Sequence, residues 1–389
     1  MGNIVMKRLV VIPSDPISDY EKKGTSSWLE EYFNPNKYFN EVYVLSPLEK
    51  VRTQKYGLNI IPVSSNKKYR KLIREINPSC VRAYGGFWAT DFANFNYVKG
   101  VPVISSVHDT NPQLIHESLS FSDQCIVMSN VLQDFLIKKK LKQQKDIHVL
   151  GNRVDTSVFK KRPRDSKILG FFPEGKMILH IGRKTHQKNI DNVIKSLKYL
   201  PDDYYLILIG LGDTEKYKEI AKKENINERV FWLDSVENNI LYKYYSTADV
   251  LCVPSRWEGF GMVFIEAASC QTKIVSSNIA PMNEYLLNDG IMNLLIDDYE
   301  NPKVISEAII RILNINETNK NTRDYIIKTF DKKIIADKEI NIYKSSIDTG
   351  NHNSLRFILW KWSYRYNYFI KPVVKKVKKI PKRVWRRIR

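Results

Sequence analysis

Two carboxylates stand eight residues apart in "PSRWEGFGMVFIE", residues 254–266, as Glu258 and Glu266, and Gly-Phe-Gly follows the first of them. The run is otherwise mostly apolar. A carboxylate in such a setting is costly unless something pairs with it. Gly259 and Gly261 permit positive φ and a close approach of backbone to a ligand. "MVFIEAAS" reads as a helix that begins near Gly261. A helix start offers N–H groups without intrahelical acceptors and the positive end of the helix dipole, so it suits an anion. Glu266 then falls about one turn into the helix, roughly 6 Å along the axis at about 1.5 Å per residue. That reach suits a nucleotide's ribose when its diphosphate rests on the helix start, and a carboxylate on ribose hydroxyls is the device of dinucleotide-binding folds. Glu258, at the mouth of the turn, would face the group beyond the diphosphate. The plain alternative is a surface glutamate and a solvated helical one; the apolar neighbours of Glu266 weigh against it.

A second stretch, "HIGRKTHQKN" (180–189), carries Arg183 and Lys188 just after a predicted strand. Arginine can fork onto two phosphate oxygens, and lysine adds a point charge. Taken alone, two solvated loop cations are the plainer reading. Set beside the turn at 256–261, they become candidates for holding a diphosphate. His108, in "SSVHDT", also sits at a predicted strand end. By itself it reads as a packed histidine, and only its place toward a cleft makes it a candidate.

Elements must bring these pieces together. Short β-branched runs recur at 8–13, 41–46, 58–63, 101–107 and 124–129, then at 176–182, 204–210, 229–233, 248–255 and 272–277. Amphipathic stretches separate them. Continuous apolar strands alternating with helices predict parallel sheets covered on both faces. The pattern occurs twice, broken near 151–167, where charge rises and periodicity stops. Two doubly wound α/β domains follow, facing a cleft into which strand C-termini deliver the ligand-binding loops. The expected division is 1–155 for an acceptor-side domain and 156–322 for a nucleotide-binding domain. A closing helix lies over 323–347, within a segment 323–350 that packs back toward the first domain, and a basic tail runs from 351 to 389.

Together, the E-x7-E of "EGFGMVFIE", "GRKTHQK" and "NRVDTSVF" resemble the retaining GT-B glycosyltransferases of the family-4 type, glycosyl transferases group 1. "IGLGDTEKYKEIAKKENINERVFWLDSV", "VHDT" and "KKGTSSWLEEYF" match further blocks in order, so the likeness covers roughly residues 7–345. It implies the GT-B fold, with two Rossmann-like domains. It also implies transfer of a sugar from a nucleoside diphosphate sugar, UDP-linked in this reading, to a saccharide. Arg183 and Lys188 would hold the diphosphate and stabilise it as it leaves. Glu266 would take the ribose. Glu258 and the backbone of Gly259, Phe260, Gly261, Met262 and Val263 would hold sugar and phosphates. His108 and the Gly24 loop would reach across from the first domain. Some positions depart from the pattern: Lys23 precedes Gly24 where glycine pairs are usual, and Arg153, Asn189 and the "SCQTKIV" segment lack usual glycines. The chain holds no Asp-x-Asp pair. The expectation is therefore no metal and no cofactor, with Arg183, Lys188 and the helix start neutralising the leaving group.

Composition bounds the rest. The chain has 389 residues, of which 43% are hydrophobic, enough for two cores. Its net charge of +20 is uneven. Residues 351–389 hold 13 Lys and Arg and no acid, leaving 49 basic against 42 acidic groups elsewhere. Cys80, Cys125, Cys252 and Cys270 are scattered, which argues against a disulfide framework or a zinc site. No signal-peptide core and no apolar span of about 18 residues is present. In the tail, Leu355, Ile358, Leu359, Trp362, Tyr366, Phe369 and Ile370 share one face if the stretch is helical, and Trp360 joins the aromatic set. Lys375, Lys376, Lys378, Lys379, Arg383, Arg386 and Arg387 supply charge. This pattern suits an anionic membrane surface, since aromatic rings settle at headgroup depth and each basic residue contributes about 1 kcal/mol. A solvated extension and a nucleic-acid arm are the other readings. The expected location is cytoplasmic, peripheral on the inner face of the membrane, with a lipid-linked saccharide acceptor of surface polysaccharide assembly. Rivals are a nucleotide-sugar epimerase of the same fold, or a vestigial body that binds membranes or polyanions.

Overall fold

The computed structural model describes residues 6–22, 24–109, 111–317, 321–349, 358 and 360–363. The first sheet contains β1 (Arg8–Ile12), β2 (Glu41–Ser46), β3 (Thr53–Lys55), β4 (Leu58–Pro62), β5 (Cys80–Tyr84), β6 (Val103–Val107), β7 (Gln124–Val127) and β8 (Ile147–Val149). Their order is β3-β4-β2-β1-β5-β6-β7-β8, parallel except for β3 against β4. The second sheet contains β9 (Lys176–Ile181), β10 (Tyr204–Ile209), β11 (Val230–Leu233), β12 (Val250–Val253), β13 (Lys273–Ser277) and β14 (Asn293–Ile296). It runs β11-β10-β9-β12-β13-β14, all parallel.

Both sheets are doubly wound around a reversal in strand order. In the first, the chain steps outward from β1 and returns beside it as β5; in the second, it steps outward from β9 and returns as β12. Loops leaving the C-terminal ends of such neighbours diverge and leave a crevice, which is where ligands bind in open α/β sheets. β9 delivers Arg183 and β12 delivers the Gly-Phe-Gly turn. Most strands carry apolar runs because helices cover both faces, while β3 is Thr-Gln-Lys and β5 holds Arg82 at its centre. One hydrophobic cluster packs the outer face of the first sheet and another the outer part of the second. A third runs continuously between the domains, from Leu9 and Val11 to Phe260 and Ile274.

The expected closing helix over 323–347 is instead two helices, Asn321–Phe330 and Lys332–Thr349. Asp331 interrupts them because it pairs with the interdomain linker. Val154 donates its N–H to the Phe330 carbonyl at 2.9 Å, and its carbonyl accepts from Lys332 N–H at 2.9 Å. The Asp331 carboxylate then caps the new helix by accepting from Lys333 N–H at 2.9 Å. The second helix lies against the first domain, where the fully buried Glu339 meets Arg82 of β5.

Of the tail, only Ile358 and residues 360–363 are described. They form a helical turn against the first domain. Trp360 packs on Phe121, ring centres 4.7 Å apart, and Lys361 Nζ donates to the Phe95 carbonyl at 2.8 Å. Trp362 faces outward, 66% exposed, so the two expected membrane tryptophans have different settings. Lys375, Lys376, Lys378, Lys379, Arg383, Arg386 and Arg387 lie outside the described residues.

Candidate active site

The loop after β9 is pinned at its root. Lys184 is almost fully buried, donates to the carbonyls of Gly210 and Leu233, and pairs with Asp234 at 3.6 Å. These carbonyls end β10 and β11, so Lys184 ties the loop across the sheet. Arg183, the residue before it, is left exposed, with Gln187 Oε1 at 3.4 Å from its Nη2. A short turn, His186–Lys188, follows, then Asn189 at φ 54° and the helix Ile190–Ser196. Asn189 occupies the left-handed region, which asparagine tolerates better than most residues. This explains how it stands where the resembling family favours glycine. Its side chain also donates to the carbonyls of Pro254 at 3.0 Å and Tyr299 at 2.7 Å.

That bond to Pro254 is one of several that knit the β9 loop to the β12 loop. Arg256 N–H donates to the Gln187 carbonyl at 2.8 Å, and Gln187 Nε2 donates to the Trp257 carbonyl at 2.9 Å. The Arg256 guanidinium reaches Asp191 at 3.0 and 3.1 Å, Glu300 at 2.7 and 2.8 Å, and the His186 carbonyl at 2.6 Å. Lys188 meets Glu258 directly. The pair is largely enclosed, with 11% and 6% of the side chains exposed, and Ser255 Oγ donates to the same carboxylate oxygen at 2.7 Å. The cation expected to hold diphosphate and the carboxylate expected to face the sugar are therefore in contact. Each neutralises the other.

The turn itself is shaped by contacts. Phe260 is buried, stacked on Tyr285 at 4.7 Å and packed on Phe330 at 5.5 Å. Its carbonyl accepts from Tyr285 Oη. Its side chain therefore belongs to the core, and only its backbone borders the crevice. Gly259 touches the other domain: a Cβ there would come 2.2 Å from the His108 carbonyl oxygen. Gly261 has φ 87° and opens the helix Met262–Ser269. At that start the N–H groups of Met262 and Val263 have no intrahelical acceptor.

Glu266 is buried one turn into this helix. Its carboxylate accepts from Tyr245 Oη at 2.7 Å and Asn238 Nδ2 at 3.4 Å. Burial raises its pKa to about 7, against the pull of those two hydrogen bonds. The apolar run called for a partner; Tyr245, 21 residues earlier in the chain, could not be identified by spacing. His108 is half-buried beside Tyr84, with ring centres 6.3 Å apart, and Ser106 Oγ lies 2.7 Å from its Nε2. Burial, and then the Arg82 charge, lower its pKa to about 4, so it is neutral at pH 7. Gly24 has φ 67° in an exposed turn, where a Cβ would meet nothing within 4 Å. Thus Lys188, Glu258, Gly259 and His108 converge, Glu266 lies further along the helix, and Gly24 stands apart at the rim.

A cavity of about 410 Å³ opens between the domains, with Tyr20, Trp28, Tyr32, Arg153, Lys332 and Met262 in its wall. Sequence patterning gave no hint of Arg153 there, nor of Arg82 and Glu339 behind it.

Residues 161–329 match the family model Glycosyl transferases group 1. An uncharacterized glycosyltransferase of Methanocaldococcus jannaschii is 25% identical over 295 residues, which are 67% of this chain and 74% of that protein. A D-inositol 3-phosphate glycosyltransferase of Xylanimonas cellulosilytica is 28% identical over 167 residues, and that match spans only 40% of each chain. Among solved structures, Anabaena HepE in complex with UDP-glucose has a TM-score of 0.69 at 17% identity, covering 87% of this chain and all of that one. The likeness to the solved structure is one of fold. It is the GT-B arrangement of two doubly wound sheets.

Proposed function

We propose that this protein is a retaining, metal-independent glycosyltransferase of the family-4 type, moving a sugar from a UDP-sugar to a saccharide acceptor. The observation that carries the reading is the meeting of the β9 and β12 loops at the strand-order reversal of the second sheet. Those loops carry the exposed Arg183, the Lys188–Glu258 ion pair and the helix start that leads to the buried Glu266. The match over residues 161–329 supports it, as does the shared fold with a protein solved with UDP-glucose.

In this reading Glu266 accepts from the ribose hydroxyls. Arg183, Lys188 and the N–H groups of Met262 and Val263 take the diphosphate. Lys188 then bridges the phosphate to Glu258, which fixes a hydroxyl of the donor sugar. Neutral His108 hydrogen-bonds the sugar rather than serving as an acid. No carboxylate is assigned as a nucleophile, so displacement runs on one face of the sugar. The acceptor oxygen bonds to C1 as the bond from C1 to the phosphate oxygen breaks. The acceptor proton passes to that phosphate oxygen. The cations and the helix start stabilise the charge that develops on it.

The basic tail and the outward Trp362 support a lipid-linked acceptor in surface polysaccharide assembly, at the inner face of the membrane. Thermal unfolding in EDTA tests the donor half. A nucleoside diphosphate at about 100 times its Kd adds about 2.7 kcal/mol of stability. UDP is expected to raise Tm by several degrees; if UDP, GDP and ADP all leave it unmoved, the reading fails. Co-sedimentation with vesicles rich in anionic lipid tests the membrane half. The full chain is expected to pellet and a chain ending at residue 350 to remain in solution; equal pelleting refutes the anchor.

A further inference from the structure

Behind the interdomain cavity lies a buried charge cluster with one carboxylate and two guanidiniums. Glu339, fully buried, accepts from Arg153 Nη2 at 2.6 Å, Arg82 Nε at 3.4 Å and Tyr343 Oη at 2.8 Å. The Arg82 side chain is 2% exposed and that of Arg153 16%. The cluster therefore holds a net positive charge away from water, which is unfavourable unless something else answers it. Aromatic faces answer part of it: Arg82 lies over Tyr84 at 4.4 Å and Arg153 over Tyr32 at 5.4 Å. His108 adds no charge, being neutral at pH 7.

Arg153 is the member that reaches the cavity wall. One arm of its fork, Nη2, is committed to Glu339, while the other, Nη1, is enclosed and has no hydrogen-bond partner among the described residues. A half-used guanidinium fork suits one oxyanion. Lys332, the other cation of the wall, is already engaged by Glu31 at 3.2 Å and Asp155 at 2.9 Å. Glu31 and Asp155 belong to the same wall, held there by Lys332, and Tyr20, Trp28 and Tyr32 give it aromatic faces. Such walls suit the apolar face of a sugar ring, and the volume falls in the range of small-ligand pockets. Arg183, Lys188 and Glu258 do not line this cavity; its wall includes Asn239 and Met262, the latter at the helix start assigned to the donor diphosphate.

We propose that this cavity is the acceptor subsite and that Arg153 makes it selective for a sugar bearing a carboxylate or phosphate. The identification of the occupant as acceptor rests on the glycosyltransferase reading; the preference for an anion rests on Arg153 alone. Calorimetric titration of the full chain with glucuronate, glucose 6-phosphate and glucose tests it, and the two acids separate the two sources of charge. Wild type is expected to bind at least one acid ten-fold or more tightly than glucose. Arg153→Gln is expected to bind that acid no better than glucose, while Arg153→Lys keeps part of the preference. UDP-induced stabilisation of Arg153→Gln is expected to match wild type.

Equal binding of all three sugars by wild type overturns the proposal, as does an unchanged preference in Arg153→Gln. Loss of UDP stabilisation in that variant also overturns it, because the guanidinium then serves the donor. If Arg153→Gln does not fold, discrimination by wild type decides alone. If UDP fails to stabilise wild type, the transferase reading falls, and the sugar titrations still decide whether Arg153 selects an anion.

Discussion

Replacing Glu266 by glutamine separates what this carboxylate costs the fold from what it gives a ligand. Burial holds its pKa near 7 in the folded protein, against an ordinary value of 4.5. Between those values the folded chain keeps a proton that the unfolded chain has released, so stability falls as pH rises. The loss is complete above pH 7. The difference of about 2.5 units corresponds to about 3 kcal/mol. Glutamine has the same shape and carries no charge. Its Oε1 can still accept from Tyr245 Oη, and once the Asn238 amide turns over its Nε2 can donate to Asn238 Oδ1, a buried oxygen with no hydrogen-bond partner among the described residues. Glu266→Gln should therefore equal wild type near pH 4.5 and exceed it by up to about 3 kcal/mol at about pH 8.5, read from urea denaturation at both pH values. The same variant should bind UDP about 10- to 100-fold more weakly, the cost of losing charge-assisted bonds to the ribose. Wild-type UDP affinity should also fall as pH drops below 7, while the variant's stays level. A stability difference that is the same at both pH values would refute the reasoning, since a neutral structural role does not titrate.

Two further substitutions address the crevice. Lys188→Met leaves the Glu258 carboxylate buried with only Ser255 as donor, and should destabilise the protein by about 3–5 kcal/mol in urea denaturation. Adding Glu258→Gln to it should restore most of that loss; a double variant no more stable than the single one would show that the pair is not coupled. Gly259→Ala sets a methyl 2.2 Å from the His108 carbonyl oxygen of the other domain. It should cost about 1–3 kcal/mol and enlarge the radius of gyration in X-ray scattering, because the least resisted response is to part the domains. An unchanged radius would place the relief within the turn.

Much of the fold was legible because parallel strands announce themselves as short apolar runs. All ten predicted runs carry strands. The four others hide for separate reasons. β3 and β8 are three-residue edges, too short to show a pattern and in β3 wholly polar, and β14 is four residues after a glycine-containing loop. β5, "CVRAY", has an arginine at its centre, and a buried arginine in a central strand reads as a surface signal. The glycine departures resolve differently. Asn189 takes its left-handed position with little strain, whereas Gln271, φ 55°, does the same work at the end of the helix Met262–Ser269. There the N–H groups of Thr272 and Gln271 donate to the carbonyls of Ala267 and Ala268, each at 3.0 Å, the closing pattern that normally selects glycine.

What could not be read locally has a common cause, which is pairing across long separations. Arg82 and Glu339 are 257 residues apart, and Arg153 and Glu339 are 186 apart. In the sequence each looks like a surface charge, because propensity and periodicity sense only near neighbours. In the fold they form one buried cluster that joins the first sheet, the interdomain linker and the last helix. The same cluster sits between His108 and the cavity wall, so its charge acts on both. A glycine at 153, the residue the resembling pattern favours, would leave Arg82 and Glu339 as a balanced pair. Arginine there adds the excess charge and the enclosed, unpaired Nη1 together. The departure from the pattern, which looked incidental beside the E-x7-E, thus changes the electrostatics of the cleft.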